Sequence, residues 1–232
     1  MSLKQKKEKY EQLYGDIPTE EDSRMNYLLE LLKFRESELP FIKKMGKFLK
    51  NIKTKKHTFI LYLIPEPTPR PRLSGTGTFY VKGAKDNYRL FTEIVKAAGN
   101  LPIITTATKL DLISYLPTPK SMNRFEKYFA ELGLVNALSI PDWDNLAKTY
   151  SDMIQKNLIL NDNLIYDGRS RKFYSIKPRI ELTVEYQLAY DCTYNRKKVE
   201  SSRFYMELYE DEASRFCKQL DTVLDLMKKG ET

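Results

Sequence analysis

The chain reads as an α/β protein, a mixed sheet with flanking helices over roughly residues 57–189, with helical extensions at both ends (1–56 and 190–232). Three patterns carry that reading. Thr58 to Ile64, TFILYLI, is a near-continuous apolar run rich in β-branched and aromatic residues, the mark of a buried strand in the centre of a sheet. Pro178 to Tyr186, PRIELTVEY, alternates, with Ile180, Leu182, Val184 and Tyr186 on one face. Between and beyond these runs, apolar residues recur at helical spacing.

Taken in order, residues 1–56 carry 14 Lys or Arg against 9 Asp or Glu and hold much of the positive charge. Tyr27, Leu28, Leu31, Leu32 and Phe34, then Phe41, Ile42, Met45, Phe48 and Leu49, predict two amphipathic helices broken at Pro40. After the first strand, PEPTPRPRLSGTGTFY imposes an extended course through Pro65, Pro67, Pro69 and Pro71 and projects Arg70 and Arg72. Ser74 to Gly77, SGTG, lacks the Gly-Lys-Ser/Thr of a phosphate-binding loop and reads as a hairpin tip. Asp86 to Ala98 predicts a helix with Tyr88, Phe91, Ile94 and Val95 inward, stopped by Gly99-Asn100.

Ile103 to Leu116 predicts a strand, and Ser121 to Leu134 a helix burying Phe125, Phe129 and Leu132. Arg169-Ser170-Arg171-Lys172 reads as a basic turn of a hairpin-like pair with the Pro178 strand. The last segment, with Phe216, Leu220, Val223, Leu224 and Met227 at helical spacing, predicts a docking or dimerising helix.

Composition narrows the function classes. A formal charge of +8 and a pI near 9.2 favour a polyanionic partner, nucleic acid first and an anionic membrane surface second. No apolar run is long enough to span a bilayer and the N-terminus is charged, so a cytoplasmic protein without a membrane role is expected. Cys192 and Cys217 lack knuckle spacing, and His57 is the single histidine, a composition that argues against zinc.

Chemistry concentrates in Pro141 to Asp167, PDWDNLAKTYSDMIQKNLILNDNLIYD. Residues two apart in an extended segment point the same way, so Asp142 and Asp144 can present both carboxylates to one point before a helix begins. Within the helix Leu146, Tyr150, Met153 and Ile154 share one arc, and Asp144, Lys148 and Asp152 the opposite one. Leu158 to Leu160 then leads to a turn at Asn161-Asp162-Asn163 able to return Asp162 to the first acids, with Asp167 and Asp152 as outer candidates. Three carboxylates with a lysine beside them suit Mg²⁺ and a phosphodiester. The same residues also suit N-caps, a plain turn and an i,i+4 ion pair.

The order Asp-x-Asp-Asn, Lys, acidic turn and strand, together with the Pro-Arg turn after the first strand, resembles the RusA-like family of Holliday-junction resolvases. Where family members often pair two acids at the second turn, this chain has Asn161-Asp162. The resemblance covers the middle of the chain. It implies a metal-dependent endodeoxyribonuclease acting on branched DNA in recombination, repair or phage DNA processing, and working as a homodimer. Asp142, Asp144 and Asp162 are then the ligands of Mg²⁺, or of Mn²⁺, and Lys148 is the catalytic cation. Arg70, Arg72, Arg169, Arg171 and Lys172 are the expected DNA contacts. The reading from another class is a non-catalytic nucleic-acid-binding protein whose acids are caps.

Overall fold

The computed structural model describes residues 2–14, 18–67, 72–74, 77–79, 89–93, 101–212 and 221–230. These form two compact units, 1–50 and 51–232. The first contains α1 (Leu3–Tyr14), α2 (Glu21–Leu31), a 3-10 turn (Glu36–Glu38) and α3 (Leu39–Lys50). Lys33 enters the left-handed region at φ 56° and ends α2, its N–H reaching the Glu30 carbonyl while Phe34 N–H reaches Leu29. Pro40 sits in the first turn of α3, where a missing N–H costs no helical bond, so the expected break falls just before it. Neither α2 nor α3 has a buried residue.

The second unit runs β1 (Thr54–Leu61), β2 (Arg72–Ser74), β3 (Gly77–Phe79), a helical stretch α4 (89–93), β4 (Thr108–Pro117), α5 (Arg124–Glu131), α6 (Trp143–Ile154), a 3-10 turn (Asp162–Leu164), β5 (Ile165–Ser175), β6 (Arg179–Gln187), α7 (Thr193–Glu200), α8 (Arg203–Glu212) and α9 (Val223–Lys229). Four strands make one sheet in the order β1-β6-β4-β5. It is mixed because α5 and α6 form a crossover that brings β5 back parallel to β4, whereas β6 is antiparallel to both β4 and β1.

The core lies under this sheet. β4 and β6 alternate strictly, so Leu110, Leu112 and Leu116 meet Ile180, Leu182, Val184 and Tyr186, and α6 covers them with Leu146, Tyr150, Met153 and Ile154. Each such buried side chain contributes about 1.5–3 kcal/mol. Leu158, Ile159 and Leu160 close that layer, with Ile159 bridged to Ile104. Ser74 and Gly77, the ends of the SGTG segment, face each other across the antiparallel pair β2 and β3, and Gly75 and Thr76 between them lie outside the described residues.

Several expectations are corrected. The TFILYLI run is an edge strand: among the described residues β1 pairs only with β6, burying Phe59 and Leu61 while Ile60, Tyr62 and Ile64 stay exposed. Apolar residues on an outer face are common, and their presence does not make a strand central. Residues 169–172 are not a turn but the middle of β5, and β5 makes no hairpin with β6, because β4 lies between them.

α5 leaves Phe125, Phe129 and Leu132 exposed and buries only Ala130. The physical reason is the neighbouring Glu131, which accepts hydrogen bonds from Ser175 Oγ (2.9 Å) and Ile176 N–H (3.2 Å) and so turns that side of the helix to the sheet. In the predicted 86–98 helix, Phe91 is buried, but Tyr88, Ile94, Val95 and the Gly99-Asn100 stop lie outside the described residues. Phe216 and Leu220 also lie outside them, whereas Val223 and Met227 are buried and dock α9. Tyr190 holds that helix start through backbone bonds with Asp221 and Val223.

Candidate active site

The site is built on the start of α6. Asp142 occupies the N-cap position with extended backbone (φ −64°, ψ 146°), and its carbonyl accepts the first helical bond from Leu146 at 3.2 Å. Its carboxylate makes no capping hydrogen bond. An ordinary Asp N-cap would bond an N–H of the first turn, so this acid is not used for what its position most commonly serves. Asp144, in the first turn, is exposed and also makes no hydrogen bond or ion pair among the described residues. Both negative charges stand at the positive end of the helix dipole.

Two long-range contacts fix this helix end. The Trp143 indole Nε1–H donates to the Ser170 carbonyl at 2.7 Å, pinning α6 to the middle of β5. Lys172 Nζ donates to the carbonyls of Ser139 (2.8 Å) and Pro141 (3.1 Å), holding the loop that delivers Asp142. Sequence reasoning missed Trp143 altogether, because no local pattern signals a partner 27 positions away.

On the buried face, Tyr150 Oη accepts the Glu66 N–H at 3.4 Å, tying the first residues of the Pro-rich segment to α6. Burial pushes the Tyr150 phenol well above its ordinary range, so it stays protonated and is not a base. Arg70 lies outside the described residues. Arg72 opens β2, and its side chain is not described.

The remaining predicted residues divide. Lys148 lies on the exposed stripe and pairs with Asp152 (Nζ to Oδ2, 3.4 Å) rather than with Asp144. Asp167 pairs with Lys109 at 3.7 Å. Arg171 is engaged by Asp111 across β4 and β5, one guanidinium nitrogen lying 2.9 and 2.7 Å from its two oxygens. Arg169 is exposed. Asp162 opens the 3-10 turn, where Asn161 and not Asp162 supplies the cap, its Oδ1 accepting from the Asn163 N–H at 3.2 Å. Its carboxylate is exposed and makes no hydrogen bond or ion pair among the described residues.

Asp142 and Asp144 fit a hard divalent cation by donor chemistry, since Mg²⁺ is usually held by one or two carboxylates plus water and substrate phosphate. The structure does not gather the third acid beside them: among the described residues, no three Asp, Glu, His or Cys side chains form a group able to hold a metal. Also among the described residues, no helix is long and apolar enough to cross a membrane.

A mixed four-stranded sheet with flanking helices defines an α/β class of protein, here with two exposed acids at the start of the crossover helix. Within that class the family is specific. Residues 63–185 match the family model of the endodeoxyribonuclease RusA, and the chain belongs to that family. It is also 32% identical over 132 residues to the uncharacterized protein YqaN of Bacillus subtilis (strain 168), a match covering 54% of this chain and 93% of that protein. The family makes this chain an endodeoxyribonuclease of the Holliday-junction resolvase type.

Proposed function

We propose that this protein is a Mg²⁺-dependent endodeoxyribonuclease that cuts branched DNA such as a Holliday junction, with Mn²⁺ able to replace Mg²⁺, and that it acts as a homodimer. The observation that carries the reading is the pair of carboxylates at the start of α6, exposed and without a capping or ionic role among the described residues. Asp142 and Asp144 would hold the ion, and Asp162, the third acid of the family pattern, would be its further ligand although the described residues of one chain do not gather it beside them. Bound there, a divalent ion supplies Lewis acidity toward a phosphodiester oxygen and lowers the pKa of a water.

The chain's own residues do the rest. Trp143 and Lys172 fix the backbone on either side of Asp142, so the two acids are preorganised rather than assembled at each turnover. Lys148, one turn beyond Asp144, supplies positive charge where the scissile phosphate gains negative charge. Its present partner, Asp152, is partly solvated and holds it weakly. Arg70, Arg72 and Arg169 position the DNA backbone through phosphates. Arg171 and Lys172, engaged by Asp111 and by the loop carbonyls, serve the fold of the site rather than DNA.

The test is incubation of the full chain with a synthetic four-way junction. Paired cuts in opposed strands with Mg²⁺, none with EDTA and recovery on adding Mg²⁺ are expected. Junction binding without cleavage under any divalent ion would favour the non-catalytic reading.

A further inference from the structure

The turn that carries Asp162 forms one wall of a cavity of about 510 Å³, at the end of the sheet where β4 and β5 begin and β6 ends. That volume lies within the roughly 300–1,000 Å³ typical of sites for small organic groups. The buried part of its lining includes Thr106, Leu160 and Tyr190, and the Thr106 hydroxyl is already donated to the Gln187 carbonyl.

Polar groups on the rim, by contrast, are uncommitted. The Asn163 amide and the Lys198 ammonium are exposed and make no hydrogen bond or ion pair among the described residues. Asn195 gives its Nδ2–H to Asp191 at 2.7 Å, which leaves its amide oxygen without a donor among the described residues.

Tyr166 joins this rim through an irregularity of the sheet. β4 and β5 pair Thr108 with Ile165 and then Lys109 with Asp167, so Tyr166 is an extra residue with no partner across from it. A bulge of this kind re-aims a side chain and is frequent beside functional sites. Here the Tyr166 ring is 60% exposed, lines the cavity and stands 5.9 Å from the Lys109 ammonium.

An aromatic face, amide edges and a free ammonium around one concavity complement a single nucleotide: its ring stacks, its polar edge meets amides and its phosphate meets the cation. A base inside a duplex offers neither its faces nor its pairing edge, so the matching ligand is an unpaired base. Taking a base out of its stack costs least where pairing is already broken, as at the crossover of a branched DNA.

We propose that this cavity takes one unpaired nucleobase of the DNA substrate, stacked on Tyr166, with its edge held by Asn163 and Asn195 and its phosphate by Lys198. This deepens the nuclease reading and takes branched DNA from it as the partner. Asp162 stands between two lining residues, Asn161 and Asn163, so a strand that places a base in the cavity passes that acid. The captured base then sets the register of the strand.

The test measures junction binding by the full chain in EDTA, where no cutting occurs. An abasic nucleotide replaces each position beside the crossover in turn, and every junction is titrated with the parental chain, Tyr166→Leu and Tyr166→Phe. Tyr166→Leu should weaken binding to the intact junction about tenfold, and Tyr166→Phe, which keeps the ring, should not. At one position the abasic junction should weaken the parental chain by a similar factor, and the two losses should not add. Asn163→Ala removes a side chain that makes no bond in the fold and should fail to add at that same position. Lys198→Ala should lower the salt slope by about one phosphate contact.

Losses that add at every position overturn the assignment, as does parental affinity of Tyr166→Leu for the intact junction. Saturable binding of free deoxynucleoside monophosphates that Tyr166→Leu abolishes, with additive losses on every junction, makes the cavity an effector site and overturns the DNA assignment. A parental chain that shows the coupled losses but leaves junctions whole with Mg²⁺ overturns the nuclease reading and leaves the cavity assignment standing.

Discussion

Lys172 makes the clearest case for what one side chain does here. Its two charge-assisted bonds to the Ser139 and Pro141 carbonyls hold the bent loop that leads to Asp142. Lys172→Met should cost about 1–2 kcal/mol of stability, read by urea unfolding, because a partly exposed cation contributes less than a fully buried one. It should also slow cleavage while leaving the salt dependence of junction binding unchanged. A slope reduced by about one phosphate contact would instead make Lys172 a DNA ligand. The run Arg169 to Lys172 advertised positive charge in the sequence, but not that a loop 33 positions back in the chain would take one of those charges and Asp111 another. The acids were more legible, since their spacing and the helix that follows are local. That Asp142 would leave its capping bond unmade was not, because an Asp at that position usually makes it.

At the scale of elements, β1 was recognisable as a strand and not as an edge. Its pairing with β6 puts His57 opposite Val184 and stacks the imidazole on Tyr186 with centroids 6.0 Å apart. Nε2 is buried and finds no hydrogen-bond partner among the described residues. Burial, aided by the Lys55 charge, holds the His57 pKa below its ordinary 6.5. The unfolded chain therefore binds the proton more readily than the folded one. The neutral imidazole's contribution is complete above pH 6.5 and is lost as pH falls from there through the folded-state pKa. His57→Phe, which keeps a ring on Tyr186, should lose less thermal stability than the parent between about pH 7.5 and 5.5. Equal losses would remove His57 from the account. The helix α6 was the most legible element: its buried residues include all four apolar positions expected from a period of 3.6. α5 was misread because its exposed aromatics look like a core stripe until Glu131 is seen to anchor the opposite side.

At the scale of the molecule, the sheet order was hidden because β4 separates two strands joined by only three residues, a link that looks like a hairpin in sequence. Reading a mixed sheet with helices required only the alternation of patterns. Charge also acts at this scale: a formal +8 predicts junction affinity that falls steeply with salt. Binding isotherms at rising KCl should give a linear log–log decline, and a flat plot would contradict a phosphate-dominated interface. Light scattering should give twice the 27.3 kDa chain mass, with and without junction DNA. A monomer mass under both conditions would count against symmetric cutting.

The central claim is that the carboxylates at the start of α6 perform chemistry and not folding, and Asp144→Asn tests it most directly. The substitution removes a charge that makes no hydrogen bond or ion pair among the described residues, so stability should fall by no more than the roughly 0.3–1 kcal/mol that a first-turn acid gains from the helix dipole. Junction affinity in EDTA should be equal or tighter, since a carboxylate facing a phosphate repels it when no cation intervenes. Cleavage with Mg²⁺ should fall by at least about a thousandfold, the scale of losing an electrostatic participant in the transition state. A folded Asp144→Asn protein that cuts four-way junctions at the parental rate would contradict the account.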